Sequence, residues 1–204
     1  MEIATILENK TPHKIYGLIG NINITTNINK YAIITPYKFN NTVKDYLNSQ
    51  KDINALKMVM LDESYLDKKS NSLSEPILKS INLAKALTLN KEYLIFDYFE
   101  KGFNDQEKKY YRWLFKKLTQ KYHKTILVFS NDITFMWDIS DELIIIDKKN
   151  LKTIPKKEIL NNTKYFNPEI IRFTNLVKAK GLKINYYKDC KDLLKAIYRL
   201  KEQK

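Results

Sequence analysis

The sequence predicts an α/β fold, a mostly parallel sheet flanked by helices. "EYLIFDYF" (92–99) is a continuous apolar run of strand length, as expected of a strand buried on both faces. "KTILVFSND" (124–132) and "ELIIID" (142–147) repeat that pattern. Between the first two lies "NDQEKKYYRWLFKKLTQKY" (104–122), whose apolar residues recur at helical spacing behind Asn104 as the cap. Strand, helix, strand in this order points to a doubly wound parallel sheet.

Ahead of that run, "EIATIL" and "KIYGLIG" read as two short strands joined by a turn containing Pro12, and "KYAIITP" (30–36) as a third ended by Pro36. Residues 42–66 have a helical rhythm carried by Val43, Tyr46, Leu47, Leu56, Val59 and Met60. "SLSEPILKSINLAKALTLN" (72–90) has a helix start signal: Ser74 as N-cap, then Glu75 and Pro76 in the first turn. "NPEIIRFTNLVKAKGLKINYY" predicts a helix capped near Asn167, closed by Gly181 and followed by a short strand. "DCKDLLKAIYRLKEQK" predicts a terminal basic amphipathic helix. The expected division is a main domain over 1–152, with a helical subdomain about 42–90, and a small C-terminal α+β domain over 153–204.

The 204 residues suit one domain with a small appendage, and 44% hydrophobic residues are enough for a core. A single cysteine, Cys190, excludes an internal disulfide framework. His13 and His123 lie far apart with no ligand-spaced partners, so no metal site is expected. There is no signal-peptide pattern at the N-terminus and no apolar run near the ~18 residues of a membrane span, so a cytoplasmic chain is expected. The net charge of +13 suits an acidic partner such as nucleic acid or an anionic membrane surface. The excess is spread along the chain, however, which favours a solvated lysine-rich surface.

"IYGLIGNINITTN" (15–27) begins like a phosphate-binding loop: an apolar strand, Gly17 and Gly20, then Thr25 and Thr26 where a helix could start. The intervening Asn21, Ile22, Asn23 and Ile24 supply neither a glycine nest nor a lysine for the outer phosphates. Together with "SLSEPILKSINLAKALTLNKEYLIFD", "KTILVFSND" and "SDELIIIDKKNL", this stretch resembles the ATP-binding subunits of ABC transporters, most closely those of the energy-coupling-factor vitamin importers. "NPEIIRFTNLVKAKGLKI" and "DLLKAI" look like the small C-terminal domain of that subgroup.

The resemblance implies a P-loop NTPase-like sheet and identifies what is missing. The P-loop lacks its last glycine and lysine, and Thr25 and Thr26 stand at the Mg²⁺-binding hydroxyl and its neighbour. The signature motif keeps Leu73 and Ser74 but has Glu75 and Pro76 for its glycines. Asp97 keeps the metal-binding carboxylate of Walker B, followed by Tyr98 where the water-polarising glutamate belongs. Gly102 of the D-loop remains, with Asn104 for its aspartate. Asn131 replaces the switch histidine, ahead of the expected Asp132. The segment from Thr26 to Pro36 is too short for the usual nucleotide-side strands, implying a truncated β-subdomain, and its loop has no Q-loop glutamine; Gln50 lies well into the next helix.

A remnant nucleotide site would therefore comprise Gly20, Asn23, Thr25, Thr26 and Asp97, with neither ATP nor Mg²⁺ expected as a bound cofactor. Micromolar binding needs about 8 kcal/mol, and each charge-assisted hydrogen bond supplies about 1.5–3 kcal/mol. Loss of the lysine and the inward N–H groups removes most of that. Each retained residue also has a structural explanation: Asp97 bonding to a helix terminus, Thr25 and Thr26 capping a helix, Gly17 and Gly20 giving the turn its backbone freedom.

The expectation is a non-catalytic ABC ATPase-like subunit. Its partners would be an ABC ATPase paralogue or a second copy of itself, and a membrane transport subunit at the inner face of the membrane. A basic nucleic-acid-binding or other interaction module is the alternative, favoured by helices that mix lysine with Tyr and Trp but lacking any nucleic-acid motif. A working ATPase with a rebuilt site is the second alternative and would need Lys30 or Lys38 over the phosphates.

Overall fold

In the computed structural model, which describes residues 6, 10–20, 31–130, 132–147, 150–156, 169–187 and 190–202, six strands form one sheet in the order β2-β3-β4-β1-β5-β6. The strands are β1 (Ile15–Ile19), β2 (Tyr31–Ile34), β3 (Tyr93–Asp97), β4 (Thr125–Phe129), β5 (Glu142–Asp147) and β6 (Asn150–Pro155). All neighbours pair in parallel except β5 with β6. The helices are α1 (Val43–Leu47), α2 (Gln50–Ala55), α3 (Glu75–Thr88), α4 (Asp105–Gln120), α5 (Ile133–Ile139), α6 (Glu169–Ala179) and α7 (Cys190–Glu202).

Alternation along the strands creates two apolar faces. Ile15, Leu94, Phe96, Ile126, Val128, Leu143 and Ile145 face a large core. Buried side chains of α1 to α6 complete it, including Val43, Leu83, Phe115, Phe135 and Ile171. Tyr16, Leu18, Ile95, Leu127, Phe129, Ile144 and Ile146 form the opposite cluster with Ile6. The described helices through α6 therefore gather on one side of the sheet. The chain leaves β1 toward β2 on one flank and reaches β5 on the other. The C-terminal end of β1 thus lies at the reversal of strand order, where open α/β sheets form their ligand crevice.

Local chemistry explains the long helices. Asn104 caps α4 by accepting from the Glu107 N–H at 2.9 Å, while Glu107 returns a carboxylate to the Asn104 N–H at 2.7 Å. Tyr111, Leu114, Phe115 and Leu118 then form its buried stripe.

Several sequence expectations require correction. Residues 42–66 do not form one helix: Asn48 (φ +48°) and Met60 (φ +58°) take left-handed backbone, and short 3₁₀ turns fill 56–59 and 63–65. Ser49 starts a new cap beyond Asn48 by accepting from the Asp52 N–H at 3.2 Å. Ile6 is helical rather than extended, and the rest of "EIATIL" lies outside the described residues except for Ile6 itself. The strand expected after Gly181 is irregular backbone. There, Tyr186 folds back on α6, its hydroxyl donating to Asn175 at 2.6 Å and its ring lying 3.9 Å from the Lys178 ammonium. The cap expected near Asn167 lies outside the described residues. The boundary drawn at 152 falls inside β6, which continues the main sheet to Pro155.

Candidate functional site

The C-terminal ends of β1 and β3, two parallel strands with β4 between them, carry Gly20 and Asp97 at the same edge of the sheet. Gly20 follows β1 at φ +121°, and a Cβ there would stand 2.3 Å from the Ile146 carbonyl oxygen. The turn thus needs glycine twice over, for its dihedral and for its approach to β5. Gly17 persists for a different reason from the one expected. It has an ordinary strand backbone, and an added Cβ would meet Met136, Ser140 and Leu143 side-chain atoms at 2.6–2.7 Å. It is the space that lets α5 settle on the sheet. Asn23, Thr25 and Thr26, like Lys30 and Asn131, lie outside the described residues.

Asp97 ends β3, half-buried and in register with Phe129. Tyr98 follows in left-handed backbone (φ +45°) and donates its N–H to the Phe129 carbonyl at 3.0 Å. The turn beyond is held from within by Lys79 of α3. Its ammonium donates to the Tyr98 carbonyl at 2.7 Å and the Lys101 carbonyl at 3.2 Å. Lys79 is only 2% exposed. Burial lowers its pKa, opposed by the charges of Glu100, Glu75 and Asp97.

Glu100 in this turn is also buried, at 3% exposure. One carboxylate oxygen accepts from the Ser130 hydroxyl at 2.7 Å; the other is buried without a hydrogen-bond partner. Ser130 in turn accepts from the Asp132 N–H at 2.9 Å. Asp132 caps α5 through the Phe135 N–H at 2.8 Å and pairs with Lys108 at 3.0 Å. Burial raises its pKa, but those bonds outweigh burial and hold the carboxyl below the usual range.

The start of α3 faces the same turn. Ser74 has N-cap backbone but makes no side-chain cap bond, Glu75 is exposed, and Pro76 sits in the first turn. A Cβ on Gly102 (φ +86°) would meet the Pro76 ring at 2.7 Å, so proline and glycine are in close contact. Asn104 is occupied as the cap of α4. Gln50 begins α2 and bonds to Asn54 at 3.2 Å, a local helix contact. Lys38 is exposed in the irregular segment after β2.

Sequence reasoning placed Asp97 at a strand end but missed Lys79 and Glu100. The available signal was a lysine beside Leu78 and Ile81, and a glutamate directly after an apolar run; both are charges at core positions. Among the described residues, Lys79 is bonded to backbone rather than presented to an anion, and no group of three or more His, Cys, Asp or Glu could hold a metal ion. No described helix is long and apolar enough to cross a membrane.

No family model matches the chain. It is similar to the energy-coupling factor transporter ATP-binding protein EcfA3 of Oenococcus oeni, with 27% identity over 178 residues covering 83% of this chain. It also matches EcfA2 of Mycoplasma mobile, with 24% identity over 155 residues covering 73% of this chain. The chain spans 61% and 50% of the lengths of those two relatives. Among solved structures it is similar to cbiO1 of Clostridium perfringens, part of the ABC transporter complex cbiONQ. That match has TM-score 0.58 and 15% identity, covering 80% of this chain and 88% of that one. An ATP-binding subunit of an ABC transporter aligns with TM-score 0.63 and 13% identity over the same shares.

Proposed function

We propose that this chain, an ATP-binding-cassette ATPase fold related to the energy-coupling-factor ATP-binding proteins, is a non-catalytic subunit that works by docking on other proteins. The observation that carries the proposal is the turn after β3. Tyr98 occupies the position following Asp97, in a left-handed conformation fixed by its bond to Phe129, so no carboxylate is there to polarise water. Phosphoryl transfer depends on positioning and on cations over the developing charge. In this turn the buried cation, Lys79, is bonded to two backbone carbonyls, and the Lys101 ammonium lies 4.2 Å from the Tyr98 ring centroid.

The start of α3 supports the same reading for a site shared between two subunits. A helix N-terminus attracts phosphate through free N–H groups. Pro76 removes one such group and contacts the chain's own Gly102, and Glu75 adds a negative charge. On this reading the chain holds no Mg²⁺-ATP. A scaffold role remains for the sheet and helices, with an ATPase of the same fold and a membrane transport subunit as partners. The C-terminal segment would be a small appended domain, and the chain would work in the cytoplasm at the inner face of the membrane.

The test is calorimetric titration of the purified chain with ATP and Mg²⁺, beside a phosphate-release assay. No binding heat at high micromolar nucleotide and no release are expected. Micromolar binding would overturn the proposal.

A further inference from the structure

His13 and His123 are the chain's two histidines, and they meet. Their ring centroids lie 4.9 Å apart with planes inclined at 50°. His13 precedes β1 and His123 precedes β4, adjacent parallel strands whose register sets Ile15 beside Ile126. The His13 N–H donates to the Thr125 hydroxyl at 3.0 Å, tying the first loop to the start of the second strand. Both histidines take left-handed backbone, at φ +61° and +53°. Both are exposed.

We propose that His13 and His123 form a two-imidazole chelate for a late first-row divalent cation of the zinc class. At a zinc–nitrogen distance of about 2.0–2.1 Å and a tetrahedral angle, two imidazole centroids stand roughly 5 Å apart, close to the separation found here. Imidazole donors select zinc, copper and nickel over magnesium and calcium. Among the described residues no third His, Cys, Asp or Glu completes a larger group. Water would fill the remaining positions.

The neighbouring cations are partly engaged elsewhere. Lys14 bonds to Glu142, and Lys124 reaches the Asn90 side chain at 3.2 Å. The site lies at the N-terminal ends of β1 and β4, away from the strand ends that carry Gly20 and Asp97. A bound ion would join the loops before the two central strands and raise stability with its concentration.

The full chain is titrated with zinc chloride at neutral pH, with both imidazoles followed by NMR and the heat by calorimetry. Both rings should shift together and saturate at one ion per chain, while magnesium leaves them unmoved. H13Q and H123Q, checked for folding by circular dichroism, should each fail to saturate where the unaltered chain does. A shift confined to one ring, equal response to magnesium, or wild-type affinity in either folded variant would overturn the proposal. If one variant fails to fold, the other variant and the two-ring NMR response decide.

Discussion

Replacing Asp52 by alanine should loosen the attachment of α1 and α2 to α3. One Asp52 carboxylate oxygen accepts from the Lys85 ammonium at 2.7 Å, and the other accepts from the Thr88 hydroxyl. The Asp52 side chain is 4% exposed and that of Lys85 19%. Removing one partner of a buried pair costs about 3–5 kcal/mol. Here Lys85 keeps the Leu47 carbonyl and the Asn48 side chain, both at 2.9 Å, and Thr88 keeps the Lys85 carbonyl at 2.8 Å. The expected loss is therefore about 2–3 kcal/mol. For a chain of this size that lowers Tm by roughly 5–10 °C.

Urea denaturation and scanning calorimetry of D52A, K85M and the double variant measure the effect, and the double should lose less than the sum of the singles. The acid limb adds a second readout. Burial pushes the Asp52 carboxyl up, but hydrogen bonds from Lys85, Thr88 and Ser49 outweigh it and hold the pKa below the ordinary 3.8. As pH falls through that value the unfolded chain takes up the proton first, so wild-type stability declines and D52A lacks that part of the decline. A loss under about 1 kcal/mol at neutral pH, or an unchanged acid limb, would refute the reasoning.

Gly17→Val should cost about 1–3 kcal/mol by forcing Met136, Ser140 and Leu143 apart; an unchanged urea midpoint would contradict that packing. Phe115→Ala, which empties a fully buried position between Phe96, Phe99 and Phe135, should cost about 3–5 kcal/mol by the same assay. Lys79 has a folded pKa below its ordinary 10.5, so wild-type stability should rise with pH in the window just under that value. K79M should lack that rise in pH-dependent melting, and a retained rise would assign it to another group.

The long elements were legible because their signals are local. Asn104 and Glu107 state the α4 cap three residues apart, and the runs before Asp97 and Ser130 are apolar enough to require burial on both faces. β6 was missed because "NLKTIP" alternates weakly and becomes a strand through pairing with β5. α5 was missed because seven residues leave little periodicity to read. At the candidate site, Asp97 could be placed from its strand, whereas the burial of Lys79 and Glu100 depends on how α3 meets the turn at 98–101. The meeting of His13 with His123 follows from the neighbouring of β1 and β4, which sequence distance conceals.

α3 makes two separate ties with side chains of the same type. Lys79 grips the turn after β3, and Lys85, six residues on and about 9 Å along the axis, grips the end of α1 and the start of α2. One stiff rod thus connects the 43–55 segment to the strand end bearing Asp97. Any displacement of α1 and α2 that preserves their bonds to Lys85 must drag the rod, and with it the turn that Lys79 holds. A load applied at that surface would pass along α3 to the turn after β3.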